Sequence, residues 1–400
     1  MALKKKHQFE TRSIHDGYES NSHYNSLASP IYQTSTFTFE TAEAGEKRFA
    51  GEEPGYIYSR LGNPTVRMLE ERIASLESAE AGLAFGSGMA AVSAVLFHLV
   101  RSGDHILCSE GVYGCTFGLL QLMKEKFSVE HDLLPLDSKE QIIDSIQPNT
   151  RVIYIETPIN PTLKLIDLQM ISSIAKERGI TVVVDNTFST PYLQRPLEFG
   201  CDIVLHSATK YIGGHGDVVA GLVAGDKETI SSIAKSTQKD IGGILAPFDA
   251  WLLLRGLKTL PLRMDRHCYN AESIVDKLKS HPKIKKVMYP GIKGYPSYAI
   301  AQKQMKQAGG LISFEIDGGK AEAQAFMNKL EMIKIAVSLG DAETLIQHPA
   351  TMTHAVVPEE ERSRMGINHS LIRLSLGLEA SDDIWEDLKQ ALESLEVSYQ

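Results

Sequence analysis

The sequence predicts an α/β protein: a mostly parallel sheet covered by helices, followed by a smaller α+β unit. Three observations lead there. Short apolar, β-rich runs alternate with helical stretches through the middle of the chain, "HILCSE", "RVIYIET", "TVVVD" and "CDIVLH" among them. Apolar strands joined through helices imply right-handed βαβ crossovers and a parallel sheet buried on both faces. After about residue 255 the pattern changes to helices such as "AESIVDKLKSH" and "AEAQAFMNKL" around the strand-like "GGLISFEI". Finally, 400 residues exceed what one core usually holds and suit a large domain with a smaller companion.

Taken in order, residues 1–60 are rich in Ser, Tyr, Gly, Asn and Thr and lack sustained periodicity. So long an irregular segment is expected to wrap something, and we read it as an arm contacting a partner subunit. Residues 61–255 are expected to carry the large sheet and residues 256–400 the smaller unit. "NPTVRMLEERIASLES" sets Val66, Leu69, Ile73 and Leu76 at helical spacing behind an Asn-Pro start. "AGLAF" runs into "GSG" and then into the helix-like "MAAVSAVLFHLV". "DLQMISSIAKERG" and the terminal "DDIWEDLKQALESLEV" read as further helices.

Composition narrows the function classes. With 43% hydrophobic and 23% charged residues, the chain is that of a globular protein. A formal charge of −9 argues against nucleic acid or an anionic membrane as the main partner. The basic Lys4–Lys6 run is short and terminal, so it reads as a solvated tail. No stretch reaches the roughly eighteen apolar residues of a membrane span, and the N-terminal segment lacks the apolar core of a secretory signal. Cys108, Cys115, Cys201 and Cys268 are widely separated, without a CxxC pair. That spacing fits reduced thiols in a cytoplasmic protein, with neither a disulfide framework nor a metal site.

The chemistry gathers at strand ends. "GSGMAA", Gly86–Ala91, satisfies G-x-G-x-x-A, and Glu110 follows about twenty residues on, so a nicotinamide dinucleotide is one reading. More generally, a glycine-rich turn into a helix offers backbone N–H groups and a helix dipole to any phosphate. Asp185 closes the apolar "TVVVD", at the sheet edge where open α/β folds bind ligands. Lys210 follows 25 residues later, just beyond the next strand, flanked by Ser207 and Thr209. Pyridoxal phosphate asks for this set: a lysine for its aldehyde, a carboxylate for its pyridine nitrogen, and donors for its phosphate.

With those residues placed, the whole chain resembles the pyridoxal-phosphate enzymes of the cystathionine γ-synthase and γ-lyase (Cys/Met metabolism) family. These have the aspartate-aminotransferase-like fold, the type I fold of PLP-dependent transferases. The match runs through "YSRLGNPT", "FGSGMAA", "VYGCT", "ETPINPT", "VVDNTF", "HSATKYIGGHGD", "VSLGDAETLIQHPATMTH" and "IRLSLGLE". The resemblance implies that Lys210 forms the Schiff base and then shuttles protons, and that Asp185 pairs with the pyridinium. It implies phosphate contacts from Gly88, Met89, Ser207 and Thr209, and from Tyr58 and Arg60 toward the neighbouring subunit's phosphate. Tyr113 would stack on the ring and protonate the leaving sulfur. Arg373 would clamp the substrate carboxylate, with Ser338 and Asn160 fixing substrate and ring. Lys239 and Asp240 would shape substrate contacts across the dimer. A shared site of this kind implies a homo-oligomer, usually a dimer of dimers.

Cys115 in "VYGCT", where most relatives carry glycine, resembles the methionine γ-lyase subgroup of the family. It is expected either to orient Tyr113 or the substrate sulfur, or to fill space as a small thiol. The reaction implied is α,γ-elimination of L-methionine, or a related sulfur amino acid, to methanethiol, ammonia and 2-oxobutanoate. Cystathionine γ-lyase or homocysteine desulfhydrase activity is the alternative on the same scaffold. So is γ-replacement, as in cystathionine γ-synthase or an O-acylhomoserine sulfhydrylase.

Overall fold

The computed structural model describes residues 7–355 and 357–395, so the Lys4–Lys6 tail lies outside the described residues. Seven strands form the large sheet: β1 (Ala81–Phe85), β2 (His105–Ser109), β3 (Glu130–Leu134), β4 (Thr150–Glu156), β5 (Thr181–Asp185), β6 (Ile203–Ser207) and β7 (Gly221–Gly225). Their spatial order is β1-β7-β6-β5-β4-β2-β3. Only β7 runs against its neighbours, antiparallel to both β1 and β6. The remaining pairings are parallel, so β2 to β6 all deliver their carboxyl ends to one edge.

The smaller sheet holds β8 (Ile284–Met288), β9 (Leu311–Ile316), β10 (Lys334–Ile335), β11 (Leu345–Gln347) and β12 (Leu371–Ser375), in the order β10-β11-β12-β9-β8. It is antiparallel apart from the β10–β11 pair. Both sheets are packed by helices. Leu69, Ile73 and Leu76 of helix Pro64–Leu76 are fully buried, as are Val183 and Val184 of β5. Each such side chain stabilises the fold by about 1.5–3 kcal/mol relative to exposure.

Three features depart from the sequence reading. β3 is a polar edge strand, "EHDLL", whose side chains alternate exposed and half-buried and leave no apolar run to read. β7 is central but begins and ends in glycine. The first sixty residues contain real helices, Phe9–His15 and Ala42–Ala50. The second is capped by the Thr41 side chain and closed by Gly51 at φ 74°. Part of this segment packs on its own chain: Arg72 Nε donates to the Asp16 carbonyl at 2.7 Å, and Thr65 Oγ1 to that of Pro30 at 3.0 Å. Tyr24 and Leu27 nevertheless stand out almost bare, 101% and 93% exposed.

Candidate active site

The antiparallel return of β7 places the loop after β6 at the shared carboxyl edge. Ser207 pairs in register with Gly221, and between them Thr209 Oγ1 accepts from Ala220 N at 3.1 Å. Lys210 sits on that loop, its own N–H donating to the Ser207 carbonyl at 3.2 Å. Further on, Gly214 takes φ +71°, where an added Cβ would stand 2.0 Å from Arg263 Nη1. Arg263 donates to the Tyr211 and Gly256 carbonyls and so ties the lysine loop to the helix behind it.

A cavity of about 260 Å³ opens at this edge. Gly88, Met89, Tyr113, Asn160, Asp185, Ser207, Thr209, Lys210 and Arg373 all line it. Ser338 joins them by accepting from Lys210 Nζ at 3.5 Å. Cys115, the second residue of helix Gly114–Phe127, is exposed and in hydrogen-bonding contact with the Tyr113 hydroxyl. Tyr58, Arg60, Lys239 and Asp240 do not line the cavity. They gather elsewhere on the chain: Arg60 lies over the Tyr58 ring at 5.7 Å and donates to the Lys239 carbonyl at 2.8 Å. Lys239 in turn meets Asp240 at 2.9 Å.

Electrostatics gives each cavity group a distinct state. Burial, then the nearby Arg373 cation, lowers Lys210 from the usual lysine range and favours its neutral amine. Arg373 lies on β12 and is 2% exposed; burial brings it down to about 10, so it stays a cation at neutral pH. It is held in place by Asn160 Oδ1 at 3.0 Å and the Ser338 carbonyl at 2.9 Å. With its amide oriented to satisfy both ends, Gln347 also accepts from the guanidinium at 3.1–3.2 Å. Tyr113 is pushed up to about 12, first by the Cys115 contact and then by burial, so its phenol keeps its proton. Burial raises Asp185, while the Thr187 N–H and O–H, both donated to Oδ1 at 3.0 and 2.5 Å, oppose the shift.

The donor set fits pyridoxal phosphate. Ser87 caps helix Gly88–Leu99 by accepting from Ala90 N at 3.0 Å, which turns the first N–H groups of the helix toward the cavity edge. Gly88 lies so close to Ser207 that a Cβ there would meet Ser207 Cβ at 3.0 Å and Oγ at 3.1 Å. The start of the helix and the Ser207 hydroxyl therefore meet at one spot suited to a phosphate, while Thr209, bonded to Ala220, lines the same cavity. Asp185 supplies the carboxylate and Lys210 the amine. The dinucleotide reading finds no such support, because Glu110 lines a separate cavity with Ile159 and Met365.

Sequence reasoning missed Glu156 and Thr187, which also line the cavity. Glu156 closes β4 just as Asp185 closes β5, and the same strand-end signal could have found it. Burial and the Asp185 charge push Glu156 well above the carboxylate range.

Comparison with known proteins follows the same line. The family described as "Cys/Met metabolism PLP-dependent enzyme" matches residues 10–393. The L-methionine gamma-lyase of Fusobacterium nucleatum subsp. nucleatum is 51% identical over 393 residues, covering 98% of this chain and 99% of its own. The cystathionine gamma-lyase of Bacillus subtilis (strain 168) is 44% identical over 386 residues, 96% of this chain and 99% of its own. Among solved structures, metB from Corynebacterium glutamicum superposes with a TM-score of 0.93 at 41% identity, covering 98% of this chain and all of that one. The match of fold, cavity and sequence leads to one conclusion: the chain belongs to the Cys/Met metabolism family of PLP-dependent enzymes.

Proposed function

We propose that the enzyme carries out α,γ-elimination of L-methionine to methanethiol, ammonia and 2-oxobutanoate. The observation that carries the reading is the union, in one cavity, of a neutral-prone Lys210, a strand-end Asp185, a buried Arg373 and a protonated Tyr113. The preference for methionine over cystathionine is supported by the higher identity to a methionine gamma-lyase, 51% against 44% for a cystathionine gamma-lyase. Cys115 beside Tyr113 supports it too.

Pyridoxal phosphate supplies the electron sink that acidifies the substrate's α-hydrogen. The chain does the rest. Helix N–H groups at Gly88 and Met89, with the Ser207 and Thr209 hydroxyls, bind the phosphate. Asp185, held at Oδ1 by Thr187, accepts the ring N–H and keeps that proton in place. Arg373 grips the substrate carboxylate through its planar fork, with Asn160 and Ser338 fixing its direction. Lys210 takes the α-proton at Nζ and then helps remove one from the β-carbon. The Tyr113 hydroxyl gives its proton to the departing γ-sulfur, oriented by Cys115.

The same reading takes the enzyme as a cytoplasmic homo-oligomer, a dimer of dimers with shared active sites. Residues 1–60 then form the arm, 61–255 the cofactor-binding unit and 256–400 the smaller unit. In support, Tyr58, Arg60, Lys239 and Asp240 form a cluster outside their own cavity, and Tyr24 and Leu27 are left bare for a partner. In that assembly Tyr58 and Arg60 reach the neighbour's phosphate, and Lys239 and Asp240 shape its substrate contacts. Among the described residues no helix is long and apolar enough to cross a membrane.

Incubating the holoenzyme with L-methionine and no acceptor thiol is expected to release 2-oxobutanoate, methanethiol and ammonia in equal amounts. Turnover only when a second thiol is supplied, with a new thioether as product, would place it among the γ-replacing enzymes instead. Arg373→Lys keeps the charge and loses the fork. A charge-assisted bond is worth about 1.5–3 kcal/mol, so KM for methionine is expected to rise about 10- to 100-fold with a smaller change in kcat. Steady-state kinetics checks it.

A further inference from the structure

Glu156 and Asp185 are register partners on β4 and β5, so their side chains leave the sheet on the same face, one strand spacing apart. Both line the cavity. A buried carboxylate and a half-buried one that close cannot both carry a charge cheaply, and one of them is expected to hold a proton. Asp185, which meets the ring N–H in the function proposed above, is the one expected to carry the charge. Thr187 gives Asp185 Oδ1 an N–H and an O–H, and the His206 side chain also favours its anion. Glu156 Oε2 accepts the Tyr113 N–H at 2.8 Å, while Ser109 Oγ accepts the Glu156 N–H at 3.1 Å.

That one contact is mechanically important. Tyr113 immediately precedes helix Gly114–Phe127 and has no side-chain cap of its own, so the Glu156 carboxyl fixes where the helix begins. The backbone that carries the phenol is held by that anchor. We propose that Glu156 is a positioning residue for Tyr113, that it shares a single negative charge with Asp185, and that the proton resides on Glu156.

The groups facing Glu156 are few. Asp185 comes from β5, Cys108 from β2, Tyr154 from its own strand, Arg373 from β12 and Tyr113 from the helix start. Arg373 and the Tyr113 and Asn160 N–H groups favour the anion, but burial and Asp185 outweigh them.

The inference rests on the proposed role of Tyr113, so its test includes a readout that needs no substrate. In infrared difference spectra of the holoenzyme at neutral pH, a protonated-carboxyl band is expected in the wild type and absent in Glu156→Gln. The amide of Glu156→Gln is neutral, of the same shape, and keeps an acceptor for the Tyr113 N–H. Its pH profile is therefore expected to keep the acid limb of the wild type, with the cofactor absorbance unchanged. Glu156→Ala removes the anchor, and misplacing a reacting group by about 1 Å costs up to about 100-fold. Its kcat is expected to fall at least about tenfold, with KM changed less than about threefold, for both L-methionine and L-cystathionine. Absence of the band in wild type, or a Glu156→Gln pH profile whose acid limb has moved, would overturn the assignment. If Glu156→Ala does not fold, the spectrum and the Gln profile still decide.

Discussion

Lys210→Ala is expected to lower kcat for methionine by about 10⁴-fold, the upper end of what a positioned acid–base group contributes. On the proposed roles, the substitution removes the amine that would bond the cofactor and carry protons, and leaves the proposed phosphate donors at Gly88, Met89, Ser207 and Thr209 untouched. The variant is therefore expected to retain cofactor through dialysis yet release it on denaturation after borohydride treatment. Wild type keeps it attached, on the peptide containing Lys210. Lys210→Arg is not expected to rescue, because a guanidinium does not give up its proton near neutral pH. Burial and Arg373 draw Lys210 below the usual lysine range. Its neutral fraction at neutral pH is accordingly larger than a solvent lysine's, and it is lost as pH falls.

Tyr113→Phe is expected to lower methionine elimination by about 10²- to 10³-fold, within the range for a lost general acid. The ring proposed to stack on the cofactor survives, so cofactor binding is expected to stay unchanged. The leaving group provides the sharper check. A γ-substituent that departs as a weaker base needs less protonation, so the defect is expected to shrink along a series of such substrates. The phenol is pushed up to about 12 by Cys115 and burial. As an acid with a raised pKa it keeps its proton through the neutral range and loses it only at higher pH than an ordinary tyrosine, near 10. Cys115→Ala removes the larger cause and is expected to move that titration back toward 10, readable by absorbance of the phenolate.

Legibility in the sequence followed burial. β1 and β5 were read at their full length because "AGLAF" and "TVVVD" are apolar runs with clear stops. β3 escaped because an edge strand needs no apolar face, and β7 because its terminal glycines, Gly221 and Gly225, read as turn residues. The helix Ala42–Ala50 is short, with only Gly45 buried, so it carries little periodicity. Lys210 and Asp185 are legible because one closes a buried strand and the other sits on the loop just past the next. Glu156 was equally visible in kind, yet "ETPINPT" drew attention to Asn160 rather than to the residue that closes β4. The Cys115–Tyr113 contact is not fixed by the sequence, since residues two apart at a helix start can meet only if the local turn allows it. The contacts of Arg373 with Gln347 and the Ser338 carbonyl depend on strand pairing between β11 and β12, which no local pattern specifies.

The most direct measurement is a side-by-side comparison of kcat/KM for L-methionine and L-cystathionine with the purified holoenzyme, quantifying methanethiol and 2-oxobutanoate. The expected result is a higher kcat/KM for methionine, with one methanethiol for each 2-oxobutanoate. Efficient elimination of cystathionine with no methanethiol from methionine would contradict it.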